Sequence, residues 1–280
     1  PEPSLYACLA ACLRKAGHAD EAAANDQIVE TLALGNDAIE IANGYAYGGD
    51  YKRASDWWAR AARQNAPGSQ LFSIALQLHT EMLIDQGKWK EVGAISEVSA
   101  QTTAAVDSSN VSPLVSLRLR LQSDLGRALS GLKVDRAKSI AILGKCHGMF
   151  PSDGSLADDF FPAIRSMGLI KEHDEWFRIS WDRMSAVLKQ FPDSDNTGNT
   201  AAWLASRSRR NLDQAEKLLV KALALNPEQS AYLDTMAEIQ FAKGNREKAT
   251  EWSAKAINFM PADSMLRRQN ARFRTAPLPR

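Results

Sequence analysis

Asn196–Pro261, NTGNTAAWLASRSRRNLDQAEKLLVKALALNPEQSAYLDTMAEIQFAKGNREKATEWSAKAINFMP, decides the fold because it holds one design written twice. Asn226-Pro227 closes the first copy and Met260-Pro261 the second, 34 residues later, with Ala215 and Ala222 in register with Ala249 and Ala256. A repeat of that length reads as a helix, a turn and a returning helix. One such hairpin cannot bury its own apolar face, so successive copies stack on a shared core.

The second copy shows the mechanics. Leu233, Met236, Ala237, Ile239 and Phe241 recur at mostly helical spacing across Ser230–Lys243, and Gly244-Asn245 ends the helix. The returning helix, Arg246–Phe259, sets Ala249, Trp252, Ser253, Ala256 and Ile257 along one side, and Pro261 stops it. Ala237, Ala249 and Ala256 fall where two helices cross at close range. A longer side chain there would overpack the contact, at a cost of about 1–3 kcal/mol.

These residues resemble the tetratricopeptide repeat (TPR) family, whose pattern runs W-x2-L-G-x2-Y, then A-x3-F, then A and P. The corresponding residues are Leu233-x2-Met236-Ala237-x2-Gln240, then Ala249-x3-Ser253, Ala256 and Pro261, so the small residues and the closing proline stand while several aromatics are replaced. The first copy agrees from Ala215 onward. Its leading helix, around Ala201-Ala202-Trp203-Leu204, fits if the turn Ser208–Asn211 is about one residue longer than usual. The resemblance implies an all-α, right-handed α-solenoid of stacked helix-turn-helix repeats.

Working outward, the recurring turn sets approximate repeats at 4–33, 36–67, 69–104, 113–148, 156–192, 196–227 and 230–261, then a capping helix at 263–274 and a tail at 275–280. A small or short anchor follows the turn glycine by five residues at Gly17/Ala22, Gly49/Ala54, Gly87/Val92 and Gly244/Ala249. Seven residues beyond the anchors stand Val29, Ala61, Ser99, Gly144, Ala222 and Ala256.

The first hairpin reads as Leu5–Ala16 and Asp20–Leu32. In the second, Trp58 belongs to the core and Trp57, about 100° around the helix, to the surface facing a neighbouring unit; Pro67 closes it. Thr102–Pro113 reads as a loop. The fourth hairpin is Leu114–Leu129 with Val134–His147, its small positions being Ala137 and Gly144. The fifth is Asp158–Met167 with Glu172–Phe191, and its aromatics Phe160, Phe161, Trp176, Phe177 and Trp181 fill a joint where repeat geometry changes. In the cap, Leu266, Asn270 and Phe273 would rest on the last hairpin while Arg267, Arg268, Arg272 and Arg274 face water.

Composition narrows the function. The 280 residues are 45% hydrophobic with a formal net charge of +1, which selects neither for nor against nucleic acid. The distribution is uneven: 14 Lys/Arg against 8 Asp/Glu from Asn196 onward, and 20 against 25 before it. No run approaches the roughly 18 apolar residues of a membrane span. Three cysteines, an odd number without C-x2-C spacing, favour a reducing, cytoplasmic compartment. Because the chain opens at Pro1, export stays open.

Residues that could carry chemistry fall short of a constellation. Cys8 and Cys12 share a helical face but make half a metal site, and small cysteines on a packing face are commoner. Cys146-His147 diverge on a helix. His79 with Glu81, His173-Asp174-Glu175 and Asp158-Asp159 supply acid and base groups, yet none belongs to a nucleophile elbow, a phosphate-cradling glycine loop or an H-E-x-x-H helix. The reading is therefore non-catalytic, without metal or cofactor.

In TPR-like stacks the first helices line a concave wall, which implies partner-binding positions at Asn43, Tyr47, Gln77, Glu81, Asn199, Trp203, Arg207, Asp234, Glu238 and Phe241. Amides, charges and a few aromatics suit an extended peptide. The acidic residues Glu81, Asp234 and Glu238 would repel a chain-terminal carboxylate, so that familiar TPR mode is not expected.

The function expected is a protein-binding scaffold or accessory subunit of a larger assembly, with no specific nucleic acid partner. Two rivals stand: the helical-repeat portion of a larger enzyme whose catalytic module lies outside this chain, or a regulatory domain gripping an anionic surface through Arg267, Arg268, Arg272 and Arg274. Partner identity and oligomeric state are not encoded in any motif.

Overall fold

A computed structural model describes residues 2–33, 37–66, 69–105, 113–261 and 263–279, and among them every regular element is helical. The architecture is all-α, with stacked helix-turn-helix units. Two compact units divide the chain, Pro1–Leu143 and Gly144–Arg280.

The first unit holds α1 (Pro3–Ala16), α2 (Ala19–Leu32), α3 (Ala38–Gly48), α4 (Tyr51–Gln64), α5 (Gln70–Asp85), α6 (Trp89–Ala105), α7 (Pro113–Gly131) and the start of α8 (Arg136–Met149). Hairpins form by α1 on α2, α3 on α4 and α5 on α6, and α1 also packs on α3. Their core combines alanines with Tyr45, Trp57, Trp58, Phe72 and Met82. Close approach is literal at two crossings. A Cβ on Gly48 would lie 2.8 Å from the Cys8 carbonyl oxygen, and one on Gly126 would lie 2.6 Å from the Trp89 carbonyl oxygen and 2.8 Å from Gly93 Cα.

The second unit continues with a 3-10 turn at Gly154–Ala157, then α9 (Phe160–Ser166), α10 (Ile170–Gln190), α11 (Asp195–Ser208), α12 (Leu212–Leu225), α13 (Ser230–Ala242), α14 (Arg246–Phe259) and α15 (Ser264–Thr275). The pairs are α11 with α12 and α13 with α14; α11 also packs on α13, and α15 on α14. Helix α13 is enclosed on every side, with Tyr232 through Phe241 all buried. Leu266 and Phe273 seat α15, Asn270 is buried beside them, and Asp263 caps it by accepting from the Met265 and Leu266 backbone N–H groups.

The turns explain the repeat. Gly17, Gly49, Gly87, Gly168 and Gly244 all take a left-handed backbone, φ 67 to 91°, and the next helix begins on the second residue after each. Glycine alone reaches this region without a Cβ penalty. At Gly17 the backbone N–H donates to Arg14 O at 3.2 Å and that of His18 to Leu13 O at 2.9 Å, which satisfies carbonyls at the helix end. Arg209 replaces glycine in the turn after α11, at φ 54°, with Asn211 also left-handed at 53°. There α12 begins on the third residue, one later than in the glycine turns.

Small anchors sit where helices cross: Ala22, Val29, Ala54, Ala61, Val92, Ala215, Ala222, Ala237, Ala249 and Ala256 are at most 1% exposed. Other expectations need correction. Ala137 is exposed, and Ser139, two residues on, packs toward Gly131 instead. Gly144 is half-buried against Trp176. Helix α6 runs through Thr102 to Ala105, since nothing in Thr-Thr-Ala-Ala breaks a helix, and Pro113 opens α7 at a first-turn position where its missing N–H costs nothing. Trp57, expected on the surface facing a neighbouring unit, needs no correction: it is covered, 6% exposed, in the core shared with Phe72 and Leu76 of α5, with the Arg60 guanidinium 4.4 Å over its ring.

The expected helix Asp158–Met167 is shorter, because the chain first makes the 3-10 turn. On α1, Ala7, Ala10 and Ala11 form the packing face, which leaves Cys8 half-buried and Cys12 exposed. Asn36, Pro67, the side chain of Ser99 and residues 106–112 lie outside the described set. The aromatic group of the fifth hairpin is knit together with His147: Phe160 and Phe161 meet edge-on at 5.4 Å, and His147 stacks on Trp176 at 5.9 Å.

Candidate functional site

Helical periodicity places Asn199, Trp203 and Arg207 in one stripe on α11. The Trp203 indole N–H donates to Asp158 Oδ1 at 2.8 Å. Arg207 donates to the Ala157 and Asp158 carbonyl oxygens at 3.2 and 3.3 Å, and its guanidinium lies 5.4 Å over the Trp203 ring. The 3-10 turn is thus pinned to α11. Both side chains stay half-buried, offering an aromatic face and a cation to solvent. Asn199 Oδ1 is buried with no hydrogen-bond partner.

Arg207 also reaches Glu238 Oε1 at 3.6 Å, and Arg272 on α15 pairs with Glu238 Oε2. Glu238 is enclosed, 4% exposed. Burial alone would raise its pKa, but the Arg272 and Arg207 charges and the Arg272 hydrogen bond outweigh it and hold the carboxyl below its usual range. One turn away, Asp234 has no such clamp. Burial first, and the Glu238 charge second, push it up to about 8. Gln269 of α15 lies 2.6 Å from Asp234 Oδ2, with its amide nitrogen facing the carboxylate.

Asp234, Glu238 and Phe241 were expected on an open wall. They lie instead beneath α15, where Phe241 meets Phe273 at 5.2 Å and Arg272 covers both rings at 5.1 and 4.7 Å. Arg272 is therefore only partly open to water. Arg267 and Arg268 are half-buried, Arg267 donating to Pro261 O at 2.8 Å, and Arg274 alone of the four is exposed.

The long turn after α11 adds charge. Arg210 is fixed by two bonds to the Asp174 carboxylate, 3.1 and 3.2 Å, and donates to Arg209 O at 3.0 Å. Asp174 in turn meets His173 Nδ1 at 2.9 Å. Arg209 and Arg165, the latter near the end of α9, are half-buried, and the charges of Glu238 and Asp174 act on them respectively. Burial first, then the Arg210 charge on Arg165 and the Arg165 charge on Arg209, lower both pKa values against the opposing pull of Asp174 and Glu238.

The positions expected in the first unit are simpler. Tyr47 is 45% exposed, Asn43 is half-buried, and Gln77 donates to Glu81 at 3.1 Å. A separate network there ties four helices: Arg14 bonds Asp26 and Asp50 at 2.5 and 2.6 Å, Tyr45 donates to Asp26 at 2.7 Å, and Arg53 meets Asp26 at 3.0 Å.

Acid and base groups are occupied structurally. His147 lies 3.0 Å from Ser180 Oγ among the aromatic rings, and burial drives its pKa down to about 4. Burial likewise lowers His173 and, despite Asp56 nearby, His79. Among the described residues no three His, Cys, Asp or Glu side chains group as a metal site, and no helix is long and apolar enough to cross a membrane.

No protein-family model matches the chain, and no curated protein matches it. Among solved structures it is similar to a chain in "Structure of Naa15/Naa10 bound to HypK-THB", at 15% identity and a TM-score of 0.30, over 96% of this chain and 49% of that one. The chain spans about half the length of that match, and a likeness at this level carries no functional argument.

Proposed function

We propose that the chain is a non-catalytic scaffold of TPR-type repeats that holds a polypeptide segment of a partner protein on the first-helix stripe of α11, beside α13 and α15. The observation that carries this reading is the stripe itself. Trp203 and Arg207 are locked in orientation by Asp158, Ala157 and Glu238, yet remain half-exposed. A fixed aromatic face and a fixed cation are what an extended segment needs for anchoring. Asn43, Tyr47, Gln77 and Glu81 form the corresponding stripe of the first unit, and Asp234, Glu238 and Phe241 support the floor under α15.

The anionic-surface alternative is disfavoured by the commitment of Arg272 to Glu238 and of Arg267 to a backbone carbonyl. The test is quantitative capture of partners by the intact chain in mild salt, compared with Trp203→Ala and Asn199→Arg, whose helicity is checked in parallel. Proteins retained by the wild type and lost from both folded variants support the proposal. Recovery of the isolated chain alone, or equal capture by the variants, refutes it.

A further inference from the structure

Helix α1 buries one side and leaves the other apolar. Ala7, Ala10 and Ala11 are at most 3% exposed, and Gly44 and Gly48 of α3 lack the side chains that would meet Ala7 and Ala11. Arg14 turns away from water too, to Asp26 and Asp50. The opposite side carries Leu5 at 65% exposure, Leu9 at 47% and the exposed Cys12, with Tyr6 and Leu13 half-buried at its borders. Steps of four and three residues place Leu5, Leu9 and Cys12 in one stripe. A helix side that meets only water is ordinarily polar, so a stripe of this kind marks a contact surface.

Charge says what fits it. Glu2 stands at one end of the stripe and Lys15 at the other, both exposed, and neither pairs with a charged side chain among the described residues. A two-fold axis near Leu9 maps this surface onto itself: Leu9 falls beside Leu9, Leu5 beside Cys12 and Leu13, and Glu2 beside Lys15. Apolar meets apolar and each charge meets its opposite, twice over, which is the self-complementarity an isologous interface requires. A parallel copy would set Glu2 on Glu2 and Lys15 on Lys15. The footprint is small, because a 14-residue helix is about 21 Å long and about 10 Å across. A standard interface takes about 800 Å² from each partner, so the association is a weak one.

We infer that a second copy of this chain docks on α1, antiparallel and two-fold, through Leu5, Leu9 and Cys12 with Glu2 and Lys15 paired across the axis. The surface belongs to the first unit and is independent of the stripe on α11.

Sedimentation equilibrium of the intact chain tests this, in reductant so that Cys12 forms no disulfide. Over about 1–200 µM a reversible monomer–dimer equilibrium is expected, with a Kd of about 10–100 µM. Leu9→Glu, at an exposed position where the fold loses no packing, should weaken it by more than about tenfold. Glu2→Lys and Lys15→Glu should each weaken it about fivefold, and the double variant should recover the wild-type constant to within about twofold, because both pairs are then restored with signs exchanged. Val220→Glu, at another exposed apolar position, on α12, should change nothing. A chain that stays monomeric throughout, a dimer indifferent to Leu9→Glu, an equal loss in Val220→Glu, or a double variant no better than the singles overturns the inference. Partner capture through Trp203 is read separately: its failure leaves the dimer standing, and absence of the dimer leaves that capture standing.

Discussion

Replacing Glu238 by Gln should loosen α15 more than any other part of the molecule. The carboxylate is 5% exposed at its side chain and neutralises Arg207 and Arg272, which are 21% and 33% exposed. Removing one partner of a fully buried pair costs about 3–5 kcal/mol. Here both orphaned guanidiniums can partly rehydrate, and the Gln oxygen still accepts one hydrogen bond, so the expected loss is about 2 kcal/mol. That energy opposes detachment of the cap, since Arg272 also lies over Phe241 and Phe273. Hydrogen exchange read by mass spectrometry should show the α15 amides exchanging about 30-fold faster, the factor equivalent to that energy. Amides of α1 to α6 should not change. The companion variant Arg272→Met should lose less in combination with Glu238→Gln than the two single losses added together. Exchange on α15 altered by less than about twofold would refute the view that this ion triad holds the cap.

Arg209→Gly should stabilise the second unit by about 1 kcal/mol, because left-handed strain is relieved and only part of that gain is lost to the greater freedom of the unfolded chain; chemical denaturation checks it, and a loss of stability would contradict the strain argument. His147, held neutral with a pKa of about 4 against an ordinary 6.5, contributes stability that is fully present above pH 6.5 and lost as pH falls toward 4. The ceiling is about 3 kcal/mol, and denaturation midpoints should fall across that window, less steeply in His147→Phe; identical slopes would speak against it. Gly126→Ala should cost at least about 1–3 kcal/mol, because its Cβ would meet Trp89 O and Gly93 Cα, both backbone atoms that cannot rotate away. An unchanged melting curve would show that α6 and α7 do not cross there.

Most of the helices were legible because turn glycine and small anchor recur together. Gly17 with Ala22 and Gly244 with Ala249 are local signals: one fixes a backbone sign, the other the closest approach of two helices a few residues later. The turn after α11 was legible only as a length anomaly, since Arg209 breaks the glycine pattern while the hairpin is retained. Ala137 misled because α8 is rotated so that Ser139 faces inward, and a single alanine does not report helix phase. The α6–α7 crossing was missed because Gly93 and Gly126 stand on different helices, with no spacing rule linking them.

The site was half legible. Periodicity alone picks out Asn199, Trp203 and Arg207. That Asp234, Glu238 and Phe241 are covered depends on where α15 lands. Its four arginines suggest a solvated face, whereas Phe273 and Arg272 turn that helix inward against Phe241 and Glu238.

The most direct measurement replaces Asn199 with a photo-crosslinking residue and compares it with the same residue at the exposed Lys221 of α12, in cells and with the full chain. The account predicts discrete protein adducts from position 199 and few or none from 221. Adducts from 221 with none from 199 would place the contact on the opposite helices and contradict the central claim.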